Sequence, residues 1–452
     1  MQHATAWRKS FETFLSSQED YRAVWPGSEE YNRERVIFNR MHDRFPAVIL
    51  KTGCPETIST VVRFANKNGI ALTIRGGGHH IAGLAAADSA IMIDCSDSRE
   101  VSFDYSSGIV SVSPGARLKD LDTLLVPKGL VVPTGTVSNT GIAGLTLGGG
   151  IGWLSGCFGP TCDHLIGADV VLADGTISKV YESTDPELLW ALRGGGGGNF
   201  GVVTKFYFKP QKLGKITAGN LVSGGQDIPE ILNRFIDWLT HKCPRELTTA
   251  PLLRHRDGRL VLEVGYCLVG HTTEAMIEMY DILQIKTPHL PVKDFTIFQR
   301  MFDGDFEAPR RGYWKSTYIP TLRSDEIDFL TLEYMRSSKK ENITITIEHL
   351  GGAFEERDVK KSAFPLKGRL FGILISGRWC HTKDDRVHIE CIRNIANTIG
   401  RSSKVFEYYN YSQDRMGSMT QFYPDNVISR LKRIKKRVDP NNLFCNNPNI
   451  FS

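Results

Sequence analysis

Along residues 47–75 the chain alternates short apolar runs with one amphipathic stretch, and the alternation predicts a strand, a helix and a second strand. AVIL at 47–50 is the first strand. Pro55 and Glu56 open ETISTVVRFANKNG, in which Ile58, Val61, Val62 and Ala65 recur at helical spacing and Gly69 stands where a helix stops. Residues 71–74 form the next strand, which delivers the chain into TIRGGGHHI at 73–81. Before this unit, residues 12–39 are mixed and charged and read as a helix followed by a loop around Trp25-Pro26-Gly27. After it come short strands at 90–93 and 109–112 and a helical pattern at 116–125. The hairpin signal Ala173-Asp174-Gly175 then joins strands at 168–172 and 176–180.

Past Lys209-Pro210 the pattern changes. Glycine falls away, charge rises, and a helix at 228–242 alternates with strands at 260–270, 343–350 and 370–375, predicting a second domain of antiparallel sheet with helices on one face. Within its strand, Glu348 and His349 fall on opposite faces, so at most one is expected to face a ligand. The chain closes with VFEYYNYSQ at 405–413, read as a strand, and a basic helix at 426–444. Lys432, Arg433, Lys435, Lys436 and Arg437 are expected on its solvated face rather than on nucleic acid, because Leu431, Ile434 and Val438 form an apolar stripe.

Glycine is the unusual count, 43 residues, and it clusters. One glycine turn is RGGGHHIAG at 75–83; a second region, GTVSNTGIAGLTLGGGIGWLSGCFG at 135–159, carries no charge; a third is LRGGGGGNFGVVT at 192–204. Glycine reaches positive φ cheaply and exposes backbone N–H groups to an anion without an intervening side chain. The uncharged second region is unlike a solvated linker and reads as turns wrapped against something apolar and planar. Three such segments, each joined to a strand, imply one ligand large enough to touch all three. The first glycines follow the second strand rather than the first, which disfavours a nicotinamide-binding βαβ unit.

The remaining composition narrows the class. A chain of 452 residues exceeds one ordinary core. A net charge of +5 implies neither nucleic-acid nor membrane partners, and no run approaches the ~20 apolar residues of a bilayer span. The N-terminal residues lack a signal-peptide core, and nine irregularly spaced cysteines fit a reduced protein, so a cytoplasmic location is expected. No metal site is read from Cys157 and Cys162.

The three glycine segments, the Tyr408-x-Asn410 pair and DPNNLF at 439–444 occur in the order seen in flavin-dependent oxidases, and over nearly its whole length the chain resembles the berberine-bridge-enzyme-like family. That branch belongs to the vanillyl-alcohol oxidase and p-cresol methylhydroxylase superfamily. The resemblance implies an α+β, two-domain flavoprotein. An FAD-binding domain would span residues 1–210 with its core at 42–210, a substrate domain 211–404, and a segment 405–452 would complete the first. FAD would be held by Arg75, Gly76, Gly77, Gly78, His79, His80 and Gly83, by Gly135, Thr136, Thr140, Gly141, Gly144, Gly148, Gly149 and Gly152, by Asn199 and Val203, and by Asn410.

By the same resemblance His79 carries a single covalent flavin link. Relatives with a second link use a cysteine where Val137 stands, and most carry serine or asparagine where this chain has His80. Some relatives also place histidine and arginine at Leu366 and Lys367 and a lysine near Gly372 that assists the catalytic tyrosine. Tyr408 and Asn410 are the expected catalytic pair: in a strand they share a face, with Tyr409 and Tyr411 on the other. A tyrosine base, with pKa near ~10, needs help from a cation such as Lys315 or Arg378. A small residue at Thr140 would admit O2. The expected activity is oxidation of an alcohol, sugar or secondary metabolite by a monomer or homodimer; a cyclase, a dehydrogenase or a non-catalytic flavin carrier on the same fold are the competing readings.

Overall fold

The strand–helix–strand opening forms as its pattern predicts, as Val48–Lys51, Pro55–Asn68 and Leu72–Arg75. The structure is a computed structural model describing residues 2–271, 273–285, 290–304, 310–400, 405–413 and 418–451. Pro55 occupies the first helical turn, where its missing N–H costs nothing, and Ile58, Val61, Val62 and Ala65 are buried. Gly69 ends the helix at φ 62°, its N–H reaching the carbonyls of Ala65 and Asn66. Both strands run parallel to Ile91–Asp94, which lies between them, and Arg22–Val24 adds antiparallel at the edge. The first glycine turn therefore leaves the carboxyl end of a parallel strand.

Beside it stands an antiparallel sheet ordered Val101–Asp104, Ile109–Val112, Val202–Phe208, Leu165–Val171 and Ile177–Tyr181. The third glycine segment feeds its central strand. The second glycine region is not turns alone: it contains helices Ile142–Leu147 and Ser155–Phe158. Ile142, Ala143, Thr146 and Leu147 are buried at helical spacing between Gly141 and Gly148, a short period that the surrounding glycines obscure in the sequence.

The inserted domain is a six-stranded antiparallel sheet, ordered Ile216–Val222, Arg259–Val269, Leu247–Arg256, Ile343–His349, Phe371–Trp379 and Arg311–Ile319. Helices Ile228–His241, Ser324–Arg336 and Asp385–Ala396 cover one face. Strand alternation separates the two faces cleanly. Ile343, Ile345, Ile347, Ile373 and Ile375 enter the core beneath the helices, whereas Thr344, Thr346, Glu348, Ser376 and Arg378 face a cavity.

The C-terminal helix Asp425–Val438 returns to the N-terminal domain, where Leu431, Ile434 and Val438 share a core with Leu188 and Phe206. Lys435 departs from the expected solvated face. It is fully buried, pairs with Asp439 at 2.6 Å and donates to the carbonyls of Asn199 (2.7 Å) and Phe444 (2.9 Å). Its charge is tolerated there because every direction it points holds an acceptor. The strand expected over 405–413 does not form: Phe406 makes one isolated bridge with Tyr318, and Tyr409–Tyr411 is a 3-10 turn. The expected boundary at residue 404 lies outside the described residues. No described helix is long and apolar enough to cross a membrane.

Candidate active site

A cavity of about 820 Å³ lies between the glycine segments and the polar face of the inserted sheet. Thirteen of the residues expected to bind cofactor or substrate line it: Gly76, Gly77, Gly78, His79, His80, Gly135, Thr136, Thr140, Gly141, Gly144, Gly152, Val203 and Asn410. The others stand behind this wall. Arg75 turns inward to the carbonyl of Glu34 (2.5 Å) and lies 3.7 Å from Asp94. Gly83, at φ 65°, packs on the His42 ring; Gly148 abuts the Asn410 amide; Gly149 lies against Phe364; Asn199 is buried, its amide reaching the Gly196 carbonyl. These residues shape the loops rather than touch their contents.

Two glycines are demanded by a backbone crossing. A Cβ built on Gly141 would lie 2.6 Å from the Cα of Gly77, and one on Gly77 2.8 Å from the Cα of Gly141. The first and second glycine segments can meet only while both positions lack side chains. Gly144 differs: a Cβ there would meet nothing within 4 Å, so this glycine opens space toward the cavity. Among the described residues lining this side of the cavity there is no carboxylate; Glu263, Glu341 and Glu348 all come from the inserted domain. A carboxylate-free, glycine-lined hollow with a dipole-bearing backbone suits the pyrophosphate and planar ring of FAD.

The two histidines differ. His80 Nε2 lies 3.0 Å from the Tyr409 carbonyl, and its Nδ1 accepts from the N–H of Ala82 at 3.2 Å, so both ring nitrogens are engaged. His79 faces the cavity with Arg117 Nη1 at 3.0 Å from Nε2. Burial, together with the charges of Arg117 and Arg75, lowers its pKa to about 3. Val137, where relatives with two links have cysteine, lines the cavity, and Cys157 and Cys162 are free thiols.

Loss of the expected 405–413 strand rearranges the tyrosines. The 3-10 turn places Tyr409, Asn410 and Tyr411 all along the cavity, so the period-two division of faces does not hold. Tyr408 is instead buried among Tyr318, Phe364 and Tyr411 and does not line the cavity. Its hydroxyl oxygen accepts from the N–H of Gly150 (2.7 Å) and from Asn410 Nδ2 (2.9 Å). Burial pushes its pKa well above the ordinary value, with those two donors opposing.

A group that the sequence pattern left unassigned lies beside it. Glu348 receives the hydroxyl of Tyr318 on one carboxylate oxygen (2.6 Å) and that of Tyr411 on the other (2.9 Å). Burial raises the Glu348 pKa, and the two tyrosine hydrogen bonds pull it back. His349 lines the cavity as well, contrary to the expected division of faces, because the strand ends there and the chain turns at Gly351 and Gly352. Burial lowers its pKa to about 4. The expected helpers divide: Lys315 is bound to Glu407, whereas Arg378 lines the cavity with its guanidinium 5.3 Å from the Phe38 ring. Leu366 is buried beside Tyr408, and Lys367 bonds the Arg357 carbonyl. Where relatives have a lysine near Gly372, the Tyr318 ring fills the space, 2.3 Å from any Cβ built there.

Comparison with known proteins agrees with this geometry. A family model described as FAD binding domain matches residues 46–181, and one described as berberine and berberine like matches 407–451. An uncharacterized FAD-linked oxidoreductase of Bacillus subtilis (strain 168), YgaK, is 25% identical across 94% of this chain and 95% of its own. The (R)-6-hydroxynicotine oxidase of Paenarthrobacter nicotinovorans is 26% identical across 94% and 96%. Among solved structures, the glucooligosaccharide oxidase of Acremonium strictum, described with a 6-S-cysteinyl, 8α-N1-histidyl FAD, shares the fold with a TM-score of 0.85 at 22% identity, covering 98% of this chain and 99% of that one. The two matched segments, far apart in sequence, both line the glycine-walled cavity: the chain carries an FAD binding domain and a berberine-like C-terminal segment, and along nearly its whole length it is similar to FAD-linked oxidoreductases.

Proposed function

We propose that the protein is an oxidase of a small, hydroxyl-rich substrate of the sugar or polar-alcohol class, with FAD tethered through His79. The observation that carries this reading is the Glu348–Tyr411 pair, which sits on the cavity between a glycine wall and a wall of Thr248, Thr344, Thr346 and Ser376 side chains. Bound in this cavity, FAD supplies the two-electron acceptor and the passage of those electrons to O2. The rest falls to the chain. Tyr411 receives the substrate's hydroxyl proton while passing its own to Glu348, whose raised proton affinity suits it to accept. Tyr318 holds the second carboxylate oxygen and fixes the direction of that transfer. The threonine and serine hydroxyls orient the substrate, and Trp314 and Phe38 exclude water. Tyr408, the expected base, becomes a positioning residue, since its hydroxyl reaches the cavity only through Asn410.

Engagement of both His80 nitrogens supports His79 as the tether, and valine at position 137 supports a single link. Two of the similar proteins named above are oxidases, and Thr140 on the cavity wall is small enough to leave O2 a path. Free thiols at all nine cysteines support a reducing, cytoplasmic setting.

Purified protein is expected to be yellow, with the colour retained by the acid-precipitated chain. Anaerobic titration with sugars, other polyols and amines should bleach the flavin with the first two, and air should restore the colour within seconds. A flavin that no compound in that set bleaches would sink the enzyme reading, and one bleached only by amines would sink the substrate class.

A further inference from the structure

Arg117 lies across the face of the ring that bears the proposed tether. Its Nη1 is 3.0 Å from His79 Nε2 and 3.3 Å from Nδ1, and donates to the Asn139 carbonyl at 2.8 Å. The backbone sets this contact. Arg117 pairs with Gly141 in an isolated antiparallel bridge, Gly141 crosses Gly77, and His79 follows two residues later. The nearest acidic neighbour is used elsewhere: Asp120 accepts the backbone N–H of Arg117 at 2.7 Å and holds Arg99 through both carboxylate oxygens. The guanidinium is thus held over the face of His79, close to both ring nitrogens, by fixed partners rather than by a surface ion pair.

Resting on the assignment of the tether to His79, we propose that Arg117 is a positioning residue for covalent flavin attachment: it holds the imidazole toward the cavity and stabilises the uncharged, N-substituted ring that attachment leaves. In that reaction a bond forms between a ring nitrogen of His79 and the flavin 8α carbon. The 8α carbon loses one hydrogen as a proton, and the imidazole loses its N–H proton. The two electrons released pass through the flavin to dioxygen, which with two protons leaves as hydrogen peroxide.

An imidazole substituted on one nitrogen keeps a single lone pair on the other and no N–H. A guanidinium over the face of such an uncharged ring meets no opposing charge, whereas an imidazolium would set a second positive charge against a cation that is never deprotonated. The groups facing the ring are Arg117, Arg75 and the Phe38 ring, 5.8 Å away, so the surroundings carry two cations. They agree with the low proton affinity of His79, for which burial is the first cause and Arg117 the second.

The test follows flavin attachment rather than turnover. Flavin-free chain is mixed with FAD in air, and the flavin that stays with the acid-precipitated chain is measured over time from pH 5 to 8. The wild-type chain should load at a rate that varies little with pH. Arg117→Gln should bind FAD but attach it at least tenfold more slowly, with the rate falling further toward pH 5 as His79 regains protons; Arg117→Lys should recover part of the rate. Loading of Arg117→Gln at the wild-type rate would overturn the proposal. So would an Arg117→Lys chain that binds no FAD, since that assigns the residue to cofactor binding. His79→Ala separates the two readings: acid-stable flavin in that variant removes the tether itself, whereas its loss there with normal loading of Arg117→Gln removes only the role of Arg117.

Discussion

Across the cavity the N-terminal domain presents backbone, at Gly76, Gly77, Gly78, Gly135 and Gly141, whereas the inserted domain presents side chains, at Thr344, Thr346, Glu348 and Ser376. A backbone wall makes the same N–H and carbonyl dipoles available whatever the chemistry, and it fails when a Cβ is added. A side-chain wall is carried by a sheet whose other face is a packed apolar core, so its residues can change without moving the scaffold. One wall suits a cofactor, the other a substrate. Substitution where the backbone wall crosses itself should therefore cost cofactor and fold together, while substitution on the sheet wall should change kinetics alone.

The largest effect is expected where glycine crosses glycine. Gly141→Ala sets a Cβ 2.6 Å from the Gly77 backbone, which cannot yield as a flexible side chain would. Overpacking of this kind costs about 3 kcal/mol, toward the upper end of its usual range, and should weaken FAD binding about a hundredfold. Gly144→Ala is the matched control, since its Cβ meets nothing of the chain within 4 Å and alanine favours the helix it sits in. Thermal unfolding of both flavin-free chains, with FAD titration by fluorescence quenching, separates the cases: Gly141→Ala should lose stability and affinity, Gly144→Ala affinity only. Equal stability loss in the two would mean that the crossing is not what fixes this wall.

Next in size is the carboxylate that joins the walls. Glu348→Gln keeps the shape but removes the proton acceptor for Tyr411, and general base groups contribute about 10²–10⁴ in rate. Loss of about a hundredfold or more in kcat is expected, with acid-stable flavin unchanged. Stopped-flow reduction of the flavin reads it directly. An unaltered reduction rate would return the base role to Tyr408 or another group.

The contrast also explains which features could be read from the chain. The strand–helix–strand opening and the three glycine segments were legible because each is local: Ile58, Val61, Val62 and Ala65 lie on one helix, and Gly76 to Gly78 follow one strand. The alternation ITITIEH likewise announces a sheet with one polar face. What escaped depends on partners far away in sequence. Tyr411 lies on the cavity because a single bridge from Phe406 to Tyr318 replaces a strand, so a period-two argument had no sheet to act on. Glu348 acquires its role only when Tyr318 and Tyr411 converge on it, and Arg117 reaches His79 only through the Gly141–Gly77 crossing. Lys435 resembled its solvated neighbours because nothing local marks the carbonyls of Asn199 and Phe444 as its partners.

The smallest effect is expected on the substrate wall. Thr346 is half-buried on the cavity face, between Ile345 and Ile347, which enter the apolar core on the other side of the sheet. Thr346→Val keeps the β-branched shape and strand preference while deleting one hydroxyl, so fold and flavin should be untouched. One hydrogen bond to a neutral substrate group is worth about 0.5–1.5 kcal/mol net, a change of roughly two- to twelvefold. If that bond is made equally in the bound and reacting states, KM rises by this factor and kcat stays constant. A fall in kcat at constant KM would mean that the hydroxyl acts only as the hydride leaves, and the division into a cofactor wall that organises chemistry and a substrate wall that merely binds would have to be abandoned at this strand.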